Sequence, residues 1–453
     1  MSSRNIIVLT LFLLLVFLPF FSSVSALSET DGAVIEGHNV VSNEVSQEKS
    51  AEHIETGHID PVTPVLLWLI VILLGAKVGG EIFERIKQPP VLGELIAGVL
   101  IGNFYYLTGI DIFQPIASDL YIDIISRIGV IILLFEVGLE SSLEDMMKVG
   151  WKSFWVATVG VIAPFVLGYF VSLYFFPEKN TNVHIFIGAT LCATSVGITA
   201  RVFKDLGKIS SKEAQIVLGA AVIDDVMGLV ILSIVSGIII SGSISLLSVS
   251  YITLKAVLFL AVGILAGIKV APLITKQASK MKVDGLKIVL ALSIAFLFSY
   301  VASKIGLAPI VGAFAAGLIL EEVYFEGFKD AQKLDEIIKP ISSFLVPVFF
   351  VLMGIQVKLE TFTNVKILGV AAGITIAAFV GKQVCGFVTG KGVNRLCIGI
   401  SMVPRGEVGL IFAAIGKQLG VVNDAVFSAV VIMVIVTTLI TPPLIKFSLS
   451  REK

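Results

Sequence analysis

Two stretches decide the fold, Pro90-Val-Leu-Gly93-Glu94-Leu-Ile-Ala97-Gly98 and Pro309-Ile-Val-Gly312-Ala-Phe-Ala-Ala316-Gly317. Each opens an apolar segment, and they share the spacing Pro-x-x-Gly-x-x-x-Ala-Gly. A weaker echo follows both, Phe135-Glu136-Val137-Gly138-Leu139 after the first and Val351-Leu352-Met353-Gly354-Ile355 after the second. Thirteen apolar segments follow one another at about 62–83, 91–108, 122–140, 153–176, 184–203, 214–241, 249–271, 286–303, 308–322, 341–357, 364–389, 396–419 and 424–447. The quoted stretches open the second and the ninth. An offset of seven spans is odd, so the second copy sits upside down relative to the first. Inverted repeats of this kind bind their substrate near the bilayer midplane, where the copies meet.

Composition agrees with a membrane body. The chain has 453 residues, of which 56% are hydrophobic and 15% charged, with mean hydropathy +0.98. Soluble domains run at about 45–50% and about 25%. The 30 Phe suit lipid contact, and the 41 Gly let helices approach closely. These values exclude a soluble enzyme, a disordered chain and a disulfide scaffold. The 33 basic and 34 acidic residues balance to −1, so nothing points to nucleic acid as a partner. The fold class is therefore all-α and polytopic.

Cys192, Cys385 and Cys397 fall in apolar stretches without metal-ligand spacing and read as buried small residues. His38, His53 and His58 share one polar segment, leaving His184 alone in the apolar body. Proton chemistry there must use carboxylates or lysine.

Residues 1–26 read as a secretory signal, with Arg4 as the charged region, an apolar run and Val24-Ser25-Ala26 as the cleavage site. Residues 27–60 read as a polar external tail. An external start and thirteen crossings place the C-terminus in the cytoplasm. The basic residues give the same orientation. Expected inner connections hold Arg85, Lys87, Lys148, Lys152, Arg201, Lys204, Lys208 and Lys212, and later Lys276, Lys280, Lys282, Lys329, Lys333, Lys339, Lys391 and Arg395. Outer ones hold little beyond Lys179, Lys304, Lys358 and Lys366.

Charges inside the spans are the functional candidates, since each costs about 2.5–3.5 kcal/mol at the bilayer centre on insertion scales. Asp224 and Asp225 lie midway along a long apolar segment. Adjacent helix positions diverge by about 100°, so one carboxylate can face a hydrated cavity while the other faces a partner helix. Such an oxygen-rich site suits Na⁺ or a proton. Lys382, in Phe379-Val-Gly381-Lys382-Gln383, is the counter-charge for Asp224. The fifth and twelfth segments, equivalent by the repeat, both read as broken. One gathers Thr194, Ser195, Gly197 and Thr199; the other holds Pro404, Arg405, Gly406, Glu407 and Gly409. Unwound backbone at membrane depth is tolerated only where it lines a cavity or is buried in protein. Arg405 and Glu407 are expected mainly to compensate the break. Glu94 reads as interfacial, and Glu136 and Glu140 as solvated or salt-bridged near an inner end. An intramembrane aspartyl protease would need opposed carboxylates on different helices, which adjacent Asp224 and Asp225 do not supply. A passive channel needs no titratable pair.

In these pieces the sequence resembles the monovalent cation:proton antiporter superfamily, second group, the sodium/proton antiporters with an Asp-Asp motif. The matching pieces are Gln88-Pro89-Pro90-Val91-Leu92-Gly93-Glu94, Phe135-Glu136-Val137-Gly138-Leu139-Glu140, Ala193-Thr194-Ser195, Asp224-Asp225, Gly381-Lys382 and Pro404-Arg405-Gly406-Glu407, in order over about 62–447. The resemblance implies thirteen transmembrane helices, with repeat one about 62–241, a linker helix about 249–271 and repeat two about 286–447. It implies two crossed broken helices in a core, a dimerisation domain and a homodimer among membrane lipids. Elevator-like exchange of Na⁺ (or Li⁺) for H⁺, without a cofactor, is the implied activity, and K⁺/H⁺ exchange on the same scaffold is the alternative. Carried over by position, Asp225 binds the cation and exchanges protons, Asp224 pairs with Lys382, and Thr194 lies at the helix crossing, where its hydroxyl or backbone could also touch the cation. An Asp-Asp pair implies electrogenic exchange of two protons for one sodium, with Lys382 either the second proton carrier or a structural partner. Potassium-efflux relatives carry a cytosolic nucleotide-binding domain after the last helix. This chain runs only to Lys453 and has no Gly-x-Gly-x-x-Gly stretch, so gating of that style is not expected in cis.

Overall fold

The computed structural model describes residues 62–450 except 142, 242–245, 282, 321–324, 326–327, 329–331 and 364. The expected signal (1–26) and polar tail (27–60) lie outside the described residues. Among the described residues there are helices and no strands. In chain order the first half runs α1 (Val62–Arg85), α2 (Pro90–Gly102), α3 (Phe104–Thr108), α4 (Leu120–Leu139), α5 (Leu143–Phe175), α6 (Thr181–Thr190), α7 (Val196–Asp205) and α8 (Lys212–Ser241). After α9 (Leu246–Ala278) come α10 (Leu286–Lys304), α11 (Pro309–Ile319), α12 (Leu334–Ile355), α13 (Val365–Cys385), α14 (Arg395–Ser401), α15 (Glu407–Gln418) and α16 (Asp424–Ser450).

Helix α1 shows why these segments belong in lipid. Trp68, Ile72, Ala76 and Gly80 recur every four residues on its buried face. Leu66, Ile70, Leu74, Val78 and Ile82 recur at the same interval on its exposed face. A helix in a soluble domain turns a polar face to solvent; one apolar all round needs lipid or a deep core. Seven helices among the described residues are long and apolar enough to cross a membrane, or eight if the segments Ser250–Leu265 and Gly267–Ala278, bent by 43°, count as one span. Others are shorter than a bilayer. Helices α2 and α11 are 13 and 11 residues long, where a full crossing takes about 20. The segment read as 91–108 is divided, α2 ending at Gly102 and the five-residue α3 following Asn103.

Starts and stops follow local chemistry. The Asp119 carboxylate accepts from the backbone N–H of Tyr121 (2.9 Å) and Ile122 (3.0 Å), capping α4. Pro90 and Pro309 each occupy the first helical position, where the missing N–H would have no helical partner.

The glycines of the two opening stretches have matching work. A methyl added at Gly93 would strike the Gly79 carbonyl on α1, and one at Gly312 would strike the Phe298 carbonyl on α10. Gly98 meets the backbone of Val351 and Gly354 on α12; Gly317 meets that of Phe135 and Gly138 on α4. Each opening stretch thus touches the later Gly-containing motif of the other half of the chain. Only a residue without Cβ permits such close backbone approach.

The helices fall into two packing sets. In one, α12 lies against α2 and α4, and α11 against α4 and α10. In the other, α5 packs on α6, α8 and α13, and α13 on α16. Helix α7 touches both sets, meeting α2 and α4 on one side and α8 and α16 on the other.

Candidate ion site at the crossing of two interrupted spans

Two spans lose their helix midway. Residues Leu191–Ser195 separate α6 from α7, and Met402–Gly406 separate α14 from α15. Carbonyls freed by such a gap have no water to turn to in a bilayer and must find partners in the protein. They find them across the crossing. The Ser195 N–H donates to the Pro404 carbonyl at 2.8 Å. The Thr194 hydroxyl donates to the Met402 carbonyl at 3.3 Å, and that of Thr199 to the Ser401 carbonyl at 2.7 Å. Gly406 permits the contact, because a Cβ there would lie 2.6 Å from Ser195 Oγ.

Arg405 is fully buried at this crossing. Its guanidinium donates to the Leu191 carbonyl and, at 3.4 Å, to the Met402 carbonyl. Those carbonyls end the half-helices α6 and α14, where the aligned peptide dipoles leave partial negative charge. Thr438 on α16 donates its hydroxyl to the Arg405 carbonyl. The Glu407 side chain lies outside the described residues; its backbone starts α15.

The acidic doublet sits on α8. Asp224 is 1% exposed and Lys382, on α13, is 0% exposed, with Nζ 3.3 Å from Asp224 Oδ1 and 3.4 Å from Oδ2. Both helices pack on α5, where Lys382 Nζ lies in ordinary contact distance, 3.6 Å, of the place a Cβ on Gly160 would take. Gly381 serves the same packing, since a Cβ there would press on Pro164. Two buried charges are tolerable only as a pair, because removing either partner leaves the other uncompensated in low dielectric.

Asp225 points elsewhere and is half-buried. It lines a cavity of about 10 Å³ with Leu134, Val196, Leu218, Val222, Ile310, Val311 and Phe314, roughly the space of one water molecule. Val196 is the first residue of α7, so the doublet and the first interruption share this cavity. Chemically, the arrangement holds one carboxylate against a fixed ammonium and leaves its neighbour toward a cavity where a proton or a hard monovalent cation could bind. Among the described residues no group of three or more His, Cys, Asp or Glu could hold a metal.

Reading the sequence missed three contributors. Thr438 looked like one more residue of an apolar span, although the Thr437-Thr438 doublet was a visible signal. Gly160 carries no signal without its neighbour. Glu94, read as interfacial, is instead 3% exposed and paired with Arg201.

Residues 69–451 match the family described as "Sodium/hydrogen exchanger, transmembrane". The chain is 39% identical over 413 residues to the high-affinity Na⁺/H⁺ antiporter NhaS3 of Synechocystis, an alignment covering 84% of this chain and 88% of that protein. It is 36% identical over 390 residues to the Na⁺/H⁺-K⁺ antiporter GerN of Bacillus cereus, covering 85% and 96%. The solved sodium proton antiporter MjNhaP1 of Methanocaldococcus jannaschii superposes with a TM-score of 0.61 at 18% identity, covering 86% of this chain and 99% of that one. With a family match over most of its length and a site of paired intramembrane charges, this chain belongs to the sodium/hydrogen exchangers, the monovalent cation:proton antiporters, and is a secondary transporter and not an enzyme.

Proposed function

We propose that the chain exchanges Na⁺, and Li⁺ with it, for H⁺ across the cell membrane by competition at Asp225. The observation that carries this reading is the divergence of the doublet: Lys382 holds Asp224 at 3.3 Å, and Asp225 faces the cavity. A proton and a cation cannot both occupy one carboxylate, so each displaces the other. A core that reorients only when loaded then couples the two gradients. In this reading Thr194, Ser195, Pro404, Arg405 and Glu407 shape the crossing beside the ion, and Thr194 could add an oxygen. Na⁺ and H⁺ are substrates, and no cofactor takes part.

The architecture that goes with this function is thirteen crossings in two inverted repeats. Seven or eight full spans, the 20-residue α4, the short α2 and α11, and the two interrupted spans support that count. The reciprocal glycine contacts of Gly98 with Gly354 and Gly317 with Gly138 support the inversion. The set of α1, α2, α4, α10, α11 and α12 would be the dimerisation domain of a homodimer. The set of α5 to α8 with α13 to α16 would be the moving core of an elevator. The N-terminus would lie outside after signal cleavage and the C-terminus in the cytoplasm. Exchange of two protons per Na⁺ would be electrogenic, each net charge drawing about 2.3 kcal/mol from 100 mV of membrane potential.

K⁺/H⁺ exchange is the second reading, favoured by the likeness to GerN, which is named for both ions. Proteoliposomes with imposed pH gradient, voltage and either cation test both. Na⁺ addition should collapse the pH gradient, and Asp225→Asn should abolish that collapse. Collapse at the normal rate by Asp225→Asn removes Asp225 from the role. A response to K⁺ equal to that for Na⁺ selects the second reading.

A further inference from the structure

A second charge cluster lies away from the doublet, where α7 meets the other packing set. Arg201 and Lys204 sit one turn apart on the C-terminal half of α7. Arg201 Nη2 is 3.2 Å from Glu94 Oε1 on α2, and its Nε is 2.8 Å from Asp205 Oδ1 on α7 itself. Its guanidinium also lies over the Phe350 ring of α12, 5.9 Å from the centroid. Lys204 Nζ pairs with Glu136 on α4, and with Glu140 just beyond that helix at 3.3 Å. Ser342 on α12 donates to the other Glu136 oxygen at 2.5 Å.

Three features set this cluster apart from ordinary surface pairs. Two of the three carboxylates are buried, Glu94 with 4% and Glu136 with 2% of the side chain exposed, while Glu140 is 27% exposed. Exposed pairs contribute little, whereas buried ones resist being pulled apart because each charge would be stranded. All three pairs also run in one direction, with cations on α7 and carboxylates on α2, on α4 and just beyond the end of α4. No such pair links the two sets elsewhere among the described residues. Finally, α7 is the half-helix whose first residue, Val196, lines the Asp225 cavity. The clamped end and the ion-facing end belong to one ten-residue rod.

We propose that Arg201 and Lys204, held by Glu94, Glu136 and Glu140, form an ionic latch that closes the Asp225 cavity toward this end of the molecule and must open for the cation to reach Asp225 from there. Arg201 and Lys204 are positioning residues, acting on the cation through the placement of α7. By the excess of basic residues in the neighbouring connections, the latched end is the cytoplasmic one. Holding the latch shut favours the state open to the opposite side; loosening it shifts the population toward the state open at the latched end. The inference rests on the antiporter reading above.

The test uses the full-length protein in proteoliposomes of known orientation, with Na⁺ titrated from each side in turn, for wild type, Lys204→Gln, Lys204→Arg and the double variant Arg201→Gln/Lys204→Gln. Lys204→Gln should lower the Na⁺ KM measured from the latched side by about threefold to tenfold and raise it from the other side. The double variant should extend the shift, and Lys204→Arg should restore values near wild type. Hydrogen exchange on the same samples should rise at 90–95, 135–140 and 199–205 in Lys204→Gln and stay unchanged around 220–228. Equal KM changes on both sides, or unchanged KM on both with wild-type protection of 199–205, overturns the latch. Wild type that exchanges neither Na⁺ nor K⁺ for H⁺ overturns the antiporter reading instead. Should the double variant fail to fold, the contrast between Lys204→Gln and Lys204→Arg still decides the matter.

Discussion

The two interrupted spans solve the same problem with different chemistry. Between α6 and α7 the gap contains no proline, glycine or charge; Leu191-Cys192-Ala193-Thr194-Ser195 is kept open by hydrogen bonds received from and given to the other span. Between α14 and α15 the gap holds Pro404, Arg405 and Gly406. Proline withdraws an N–H, glycine admits Ser195, and the guanidinium fills the electrostatic hole left by two helix C-termini. The first gap is thus held open by the second. Similar backbone placement does not require similar side chains when one partner can supply the missing groups for both.

Three substitutions sharpen or break this comparison. The largest effect should come from Arg405→Gln, which removes a buried cation and strands the Leu191 and Met402 carbonyls. Unfolding in mixed micelles should lose about 3–5 kcal/mol. A loss below about 1 kcal/mol would mean that the two gaps hold themselves open and that Arg405 only occupies space. Gly406→Ala should come next, at about 1–3 kcal/mol, because the added methyl presses on Ser195 Oγ and a tightly packed crossing yields poorly. Pairing it with Ser195→Ala should recover part of the loss; strict additivity in that double-mutant cycle would deny that the two gaps touch there. The smallest effect belongs to Thr199→Val, which forfeits one hydrogen bond of 2.7 Å to Ser401. About 1 kcal/mol is expected, and hydrogen exchange should rise at 398–402 on the other span rather than along α7 alone.

The doublet and the latch make a further contrast. Asp224 and Lys382 lie within one packing set, so their bond would persist through any displacement of that set as a body. The pairs of Arg201 and Lys204 join the two sets and cannot survive a relative displacement. Bond length does not separate the two cases; what matters is which helices carry the partners.

Much of the molecule was legible from the residues alone. Long apolar runs interrupted by charge announce membrane helices because lipid tolerates little else. The repeated Pro-x-x-Gly-x-x-x-Ala-Gly spacing pointed to the stretches whose glycines meet neighbouring backbones. Asp224, Asp225 and Lys382 stood out because ionised groups are costly in hydrocarbon, and α13 does bring Lys382 to Asp224. What the one-dimensional chain could not carry was the choice of neighbours. Glu94 lies 107 positions before Arg201, and Glu136 lies 206 positions before Ser342; in sequence each is an acid near a span end, equally suited to water. Only the packing of α7 against α2 and α4 removes that water and turns five ordinary charges into a cluster. Burial is a property of the assembled surface, and so is the energy of every charge within it.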